Sequence, residues 1–239
     1  MSISEHNTAI IIPAKNEAMT LGSVLSDLHQ HVDAQVIVVD DGSDDDTRAI
    51  AEKHGAMVFP HVTNMGAWRA TQTGIRFAHK KGFDRVVTLD ADGQHRAEDV
   101  KTLVAAAEQG FDVVIGSCTS RGSAGRHIAW RIFKTITRLP VFDLTSGFRC
   151  YSRSAMKALA SRQATMFEYQ DVGVLLLLRN LQLKCIEVPV TMNRRKDGIS
   201  RIFYSWFAVI RYLLYTLILS STKAFPGHSR KVAERLAKD

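Results

Sequence analysis

Cysteine is scarce in this sequence: three in 239 residues, Cys118, Cys150 and Cys185, odd in number, far apart and without a C-x-x-C pair. That excludes a disulfide framework and a cysteine zinc site, and it fits a reducing compartment. Long apolar runs are missing too. The longest, Phe207 to Leu219, is broken by Arg211 and falls short of the roughly 20 residues that cross a bilayer. Met1 to Thr8 is polar and has no apolar stretch of the signal-peptide kind. Neither G-x-x-x-x-G-K-[ST] nor G-x-G-x-x-G occurs, so neither an ATPase nor a dinucleotide enzyme is favoured. No internal repeat, low-complexity tract or linker marks a second independent domain. Of the residues, 46% are hydrophobic and 23% charged, which excludes wholesale disorder, collagen-like repeats and a polytopic membrane protein.

Net charge is absent from the body and concentrated at one end. Of 31 Lys/Arg and 24 Asp/Glu, 10 and 3 fall between Thr191 and Asp239, leaving 21 of each elsewhere. The whole net charge of +7 therefore belongs to the last fifth of the chain. A neutral body with a basic tail points to an anionic surface met at one end.

Short apolar β-branched runs alternate with helical patterns. Ala9 to Ile12, Val36 to Val39, Met57 to Phe59, Val86 to Leu89 and Val113 to Ile115 read as strands. Between them, Leu21, Val24, Leu25 and Leu28 repeat at helical spacing. Helices are also expected at about 45–54, 67–81 and 98–109. Continuous Val/Ile runs mean strands buried on both faces, hence a doubly wound, mostly parallel α/β sheet. After Gly116 the rhythm loosens. A helix is expected at 128–137, a turn-rich connection at 143–149, an apolar helix within 167–180 and a last strand at 186–190 ended by Pro189. Met65 and Trp68 read as core positions on a helical face.

Ligands of an open parallel sheet bind beyond the carboxyl ends of its strands. Three such ends are polar: Pro13-Ala14-Lys15-Asn16-Glu17, Asp40-Asp41-Gly42-Ser43 and Asp90-Ala91-Asp92-Gly93-Gln94-His95. Side chains two apart on an extended segment point to one side, so Asp90 and Asp92 can face a single cation. Hard divalent ions prefer such oxygen ligands and share their shell with substrate phosphates; Gln94 adds a neutral oxygen. The Asp40 to Ser43 segment also reads as a turn and helix cap, with Asp45 or Asp46 facing the helix dipole. That leaves Asp41 in need of a donor, which a nucleoside ribose or base could supply. His95 either supports the carboxylate pair or simply fills the fold.

In order along the chain, Ile12 to Glu17, Val38 to Ser43 and Leu89 to His95 resemble the motifs of GT-A-fold, family 2 glycosyltransferases. Asn64-Met65-Gly66 and Gly116-Ser117 extend the match. Asp143 to Arg149 and Arg195 to Arg201 are similar to the dolichol-phosphate mannose synthase branch, the polyprenyl-phosphate glycosyltransferases. The resemblance covers roughly Ile10 to Arg201. It implies a GT-A domain over 1–201, followed by a basic, apolar helical tail over 202–239. It implies donor-nucleotide contacts from Pro13, Glu17, Asp41, Asp90, Ala91, Asp92, Gln94 and Arg121. Asp90, Asp92 and Gln94 would hold Mg²⁺ or Mn²⁺. Asp92, Arg131, Arg195 and Arg201 would act at the phosphates. The family usually carries an aromatic where Lys15 stands, an arginine where Cys118 stands and a lysine where Arg201 stands. The Gln-x-x-Arg-Trp element of processive synthases is absent.

The implied reaction moves one sugar, with inversion, from a nucleoside-diphosphate sugar to an acceptor. A phosphate monoester, with a second pKa of about 6, is already an anion at neutral pH and needs no base. A hydroxyl acceptor would need one; Glu168 and Asp171 are candidates, or else acids at a helix N-terminus. The basic cluster Arg194, Arg195, Lys196 and Arg201 suits a polyprenyl phosphate. The adjoining aromatics, Phe203 to Phe207, suit the headgroup level of an anionic membrane. Residues 203–219 then form an interfacial helix, or one packed on the body or a second subunit. The expected setting is the cytoplasmic side, peripheral at the inner membrane face, with no nucleic-acid partner. A glycan, glycolipid or protein acceptor, and a non-catalytic nucleotide-binding module, are the alternatives.

Overall fold

Three successive isoleucines, Ile10 to Ile12, suit a strand with no solvent-facing side, and none of the three has any exposed surface. They form the middle of β1 (Thr8–Ala14), the centre of one half of the sheet. The computed structural model of the chain describes residues 7–118, 141–143, 146–167 and 172–193. Arg121, Arg131, Glu168, Asp171, Arg195 and Arg201, the helix expected at 128–137 and the tail at 202–239 lie outside the described residues.

From β1 the chain runs through α1 (Ala18–His31), β2 (Gln35–Asp40), α2 (Thr47–Lys53), β3 (Met57–Pro60), α3 (Ala67–Lys81), β4 (Arg85–Thr88), α4 (Asp99–Glu108) and β5 (Val113–Ser117). Then follow β6 (Arg149–Ser152), α5 (Arg153–Ala160), α6 (Val172–Asn180) and β7 (Cys185–Pro189). The seven strands lie in the order β3-β2-β1-β4-β6-β5-β7. All neighbouring pairs are parallel except those of β6, which runs antiparallel to both β4 and β5. The expected doubly wound, mostly parallel sheet is the one observed.

Period-two alternation divides the core. Ala9 and Ile11 face the cluster built with α3, α5 and α6; Ile10, Ile12 and Ala14 face the one built with α1 and α4. The four buried residues of α1 are Leu21, Val24, Leu25 and Leu28, the i, i+3, i+4, i+7 set. Helix α3 crosses β1 at Gly74, where a Cβ would stand 2.5 Å from Ile11 Cγ2, so only glycine allows that approach. Burial pushes the thiols of Cys150 and Cys185 up to about 12 and about 11, which keeps both protonated and inert.

Two expectations change. The 143–149 connection ends in β6, whose Arg149-Cys150-Tyr151-Ser152 is too short and too polar to read as an apolar run. It becomes a strand because β4 and β5 supply hydrogen-bonding partners on both sides. Helix α5 follows at once, its N-terminus capped by Ser152 Oγ, which accepts from Ala155 N at 3.2 Å. Met65 is 46% exposed while Trp68 is 1% exposed. The reason is Gly66, at φ 93°, which turns the chain so that α3 begins only at Ala67. Pro189 closes β7 as its last residue, tolerated because β7 is an edge strand.

Candidate donor-sugar site

The order β3-β2-β1-β4 sends successive connections to opposite sides of β1, so the crevice beyond β1 and β4 is the switch point at which such sheets bind ligands. Register fixes what stands there. Ile11 pairs with Thr88 and Ala14 with Asp40. Pro13 and Asp90, each two residues past the Ile11–Thr88 pair, therefore flank the crevice, and Asp40 and Asp41 adjoin it.

The loops after β1 and β2 are stitched together. Asn16 N donates to Ser43 Oγ (3.0 Å), and Asp44 N donates to Asn16 Oδ1 (2.9 Å). Glu17 N donates to Thr47 Oγ1 (2.8 Å), and Lys15 Nζ to Gly42 O (2.9 Å). Asn16 accepts a φ of 51°, which asparagine tolerates better than most residues. Ser43 thus serves the neighbouring loop instead of capping α2. Asp45 closes the seam by accepting from Ala18 N and Thr47 N. Burial works against its charge, but bonds from Thr47 Oγ1, Thr47 N and Ala18 N outweigh that and lower its pKa below 3.8. Its contribution is present at neutral pH and fades only as pH falls through that lowered value.

Asp41, at 3% exposure, is the hub of the next loop. Its Oδ1 accepts from Met65 N (2.8 Å) and its Oδ2 from Gly66 N (2.7 Å). His61 Nδ1 lies 2.8 Å from Oδ1, and its Nε2 lies 3.0 Å from Thr73 Oγ1. The donors that the sequence left to a nucleoside come from the chain itself. Asp41 therefore shapes the Asn64-Met65-Gly66 wall of the site, and Gly42, at φ 70°, lets Thr63 and Asn64 pack against it.

Asp90 and Asp92 do not lie on an extended segment, because β4 stops at Thr88 and the chain turns at Ala91 to Gly93. The alternation survives the turn all the same. Leu89 and Ala91 are each 3% exposed, Asp90 has a half-exposed side chain, and Asp92 is partly exposed. Asp92 Oδ1 accepts from Gln94 N at 3.1 Å, and Gln94 O accepts from Asn193 N at 2.9 Å. Glu17 sits at the start of α1, its Oε2 accepting from Thr20 Oγ1 at 3.0 Å. Pro13, Glu17, Asp41, Asp90, Ala91, Asp92 and Gln94 thus stand at or just past the carboxyl ends of β1, β2 and β4.

Asp90, Asp92 and Gln94 offer oxygen donors of the kind a hard divalent ion prefers. Among the described residues no group of three His, Cys, Asp or Glu could hold a metal. His61, whose role depends on a partner 20 residues earlier, has no signal in the sequence.

The family model for glycosyl transferase family 2 matches residues 9–163, more than half of the chain. The chain belongs to this family. Among the relatives of this glycosyltransferase are the undecaprenyl-phosphate mannosyltransferase of Micrococcus luteus, 31% identical over 80% of this chain and 85% of its own length. The polyprenol monophosphomannose synthase of Mycolicibacterium smegmatis is 29% identical over 81% of this chain and 80% of its own. A crystal structure of glucosyl-3-phosphoglycerate synthase from Mycobacterium tuberculosis, in complex with Mn²⁺, UDP-glucose and phosphoglyceric acid, superposes with a TM-score of 0.69. It covers 90% of this chain and 79% of its own at 19% identity, a likeness of fold. The GT-A expectation is met.

Proposed function

We propose that this glycosyltransferase moves a single sugar, with inversion, from a nucleoside-diphosphate sugar to a polyprenyl phosphate at a membrane surface. The observation that carries the reading is the placement of Asp90 and Asp92 at the sheet's switch point, beside the interlocked loops of β1, β2 and β3. The mannosyltransferase and the synthase described above, named for polyprenyl-phosphate chemistry, support the acceptor.

Pro13, Glu17 and the wall shaped by Asp41 would receive the nucleoside, and Lys15, on Gly42 O, would border it at the position where the family resemblance implies an aromatic. Asp90, Asp92 and Gln94 would hold Mg²⁺ or Mn²⁺ next to the diphosphate. When bound, that ion supplies Lewis-acid neutralisation of the charge that grows on the leaving diphosphate. Arg121, Arg131, Arg195 and Arg201 are assigned to donor and acceptor phosphates by resemblance. A phosphate acceptor attacks as its own anion, so the chain need only orient it and keep water away. Residues 1–201 would form the catalytic domain, and 202–239 the contact with an anionic membrane, peripheral at its cytoplasmic face or shared with a second subunit. Among the described residues no helix is long and apolar enough to cross a membrane.

The test is nucleotide-sugar turnover by the full chain with GDP-mannose, UDP-glucose and UDP-N-acetylhexosamines, with and without a short-chain polyprenyl phosphate. Nucleoside diphosphate is expected to be released only when the lipid phosphate is present, and chelation by EDTA is expected to stop it. Equal turnover with a free sugar or water in place of the lipid would overturn the acceptor assignment.

A further inference from the structure

Asp90 stands past the end of its strand with half of its side chain exposed, where an aspartate ordinarily samples several rotamers. Here it is fixed from two directions. A Cβ on Gly147 would fall 2.8 Å from Asp90 Oδ1, 2.9 Å from Oδ2 and 3.1 Å from Cγ, so the carboxylate lies directly on the glycine. From the other side, His95 Nε2 lies 3.2 Å from Asp90 Oδ2.

Neither neighbour is free to move. The His95 side chain is 2% exposed; its ring packs on Phe148 at 4.9 Å between centroids, and its backbone bridges to Met192. Phe148 lies over Gly116, where a Cβ would come within 2.8 Å of its Cδ1. Gly147 O accepts from Thr88 Oγ1 at 2.7 Å, which ties the glycine to the strand that carries Asp90. The lead-in to β6 is braced by Ser146, whose Oγ donates to Gly116 O (2.7 Å), and by fully buried Arg149, whose Nε donates to Ser146 O (2.8 Å). His95 Nδ1 is buried and has no hydrogen-bond partner among the described residues. With Nε2 unprotonated, its lone pair would face the Asp90 carboxylate 3.2 Å away, which is repulsive. The proton therefore belongs on Nε2, aimed at Asp90.

Resting on the donor-site reading above, we propose that His95 and Gly147 are positioning residues that preset the Asp90 carboxylate for a divalent cation, His95 by donating Nε2–H and Gly147 by having no side chain. Groups that orient a metal ligand without touching the metal commonly change its affinity by about 10–100-fold when altered.

The experiment titrates Mn²⁺ into the full chain with UDP or GDP, followed by electron paramagnetic resonance, alongside the Tm of metal-free protein. His95→Asn and Gly147→Ala are expected to raise the Mn²⁺ Kd about tenfold or more. His95→Gln should stay within about twofold of wild type, because the glutamine amide reaches the place of Nε2 whereas the asparagine amide falls near Nδ1. A structural role alone would move Tm without this Gln-against-Asn split. Wild-type affinity in both His95→Asn and Gly147→Ala overturns the proposal and leaves the donor site standing. Equal loss in His95→Gln and His95→Asn overturns the donor role of His95. Absence of Mn²⁺ binding by the wild-type chain overturns this proposal and the donor-site reading together.

Discussion

Asp92→Asn is expected to lower nucleotide-sugar turnover by about 10²–10³-fold while leaving the folded protein intact, since preorganised groups facing developing charge carry effects of that size. Asparagine keeps an oxygen for Gln94 N, so the 91–93 turn should persist. What it removes is negative charge beside the departing diphosphate. If the turn alone mattered, asparagine would preserve activity and alanine would not. Loss in both variants, with unchanged unfolding midpoints, assigns the effect to the charge.

The second large effect concerns Asp41 and is mainly one of stability. Removing its carboxylate strands the backbone N–H groups of Met65 and Gly66 and leaves His61 Nδ1 without its acceptor. Buried polar groups left unmet cost about 1–3 kcal/mol each, so Asp41→Ala should lose about 3–5 kcal/mol in urea unfolding. Asp41→Asn should lose less, because one carbonyl oxygen can still serve one of the two N–H groups. Nucleotide affinity should fall in step with stability as the 61–66 wall shifts. An Asp41→Asn protein as stable as wild type, yet unable to bind nucleotide, would instead place Asp41 in direct contact with the nucleoside.

The parts of the fold legible in the sequence are those where one local pattern decides the outcome. The buried stripe of α1, the limits of α3 and the doubly buried isoleucines of β1 follow from periodicity and need no tertiary partner to be recognised. β6 was illegible because its four residues are strand only by virtue of two neighbours. Met65 misled because its apolar side chain precedes a glycine turn that periodicity does not register. At the site, the acidic pair was legible from its place after a buried strand, although the reason for its orientation was different: a turn with Ala91 tucked inward, in place of an extended segment. The partners of Asp41 and the cradle beneath Asp90 were not legible. His61, Met65, Gly66 and Gly147 meet these carboxylates only after the strands are ordered, across separations that no local pattern encodes.

The most direct test soaks crystals with Mn²⁺ and the nucleoside diphosphate of the preferred donor and maps the metal by anomalous scattering. The account predicts one peak bridging the Asp90 and Asp92 carboxylates, with diphosphate oxygens completing the shell. A nucleotide bound at the switch point with no metal there, or a peak held by other side chains, would contradict it.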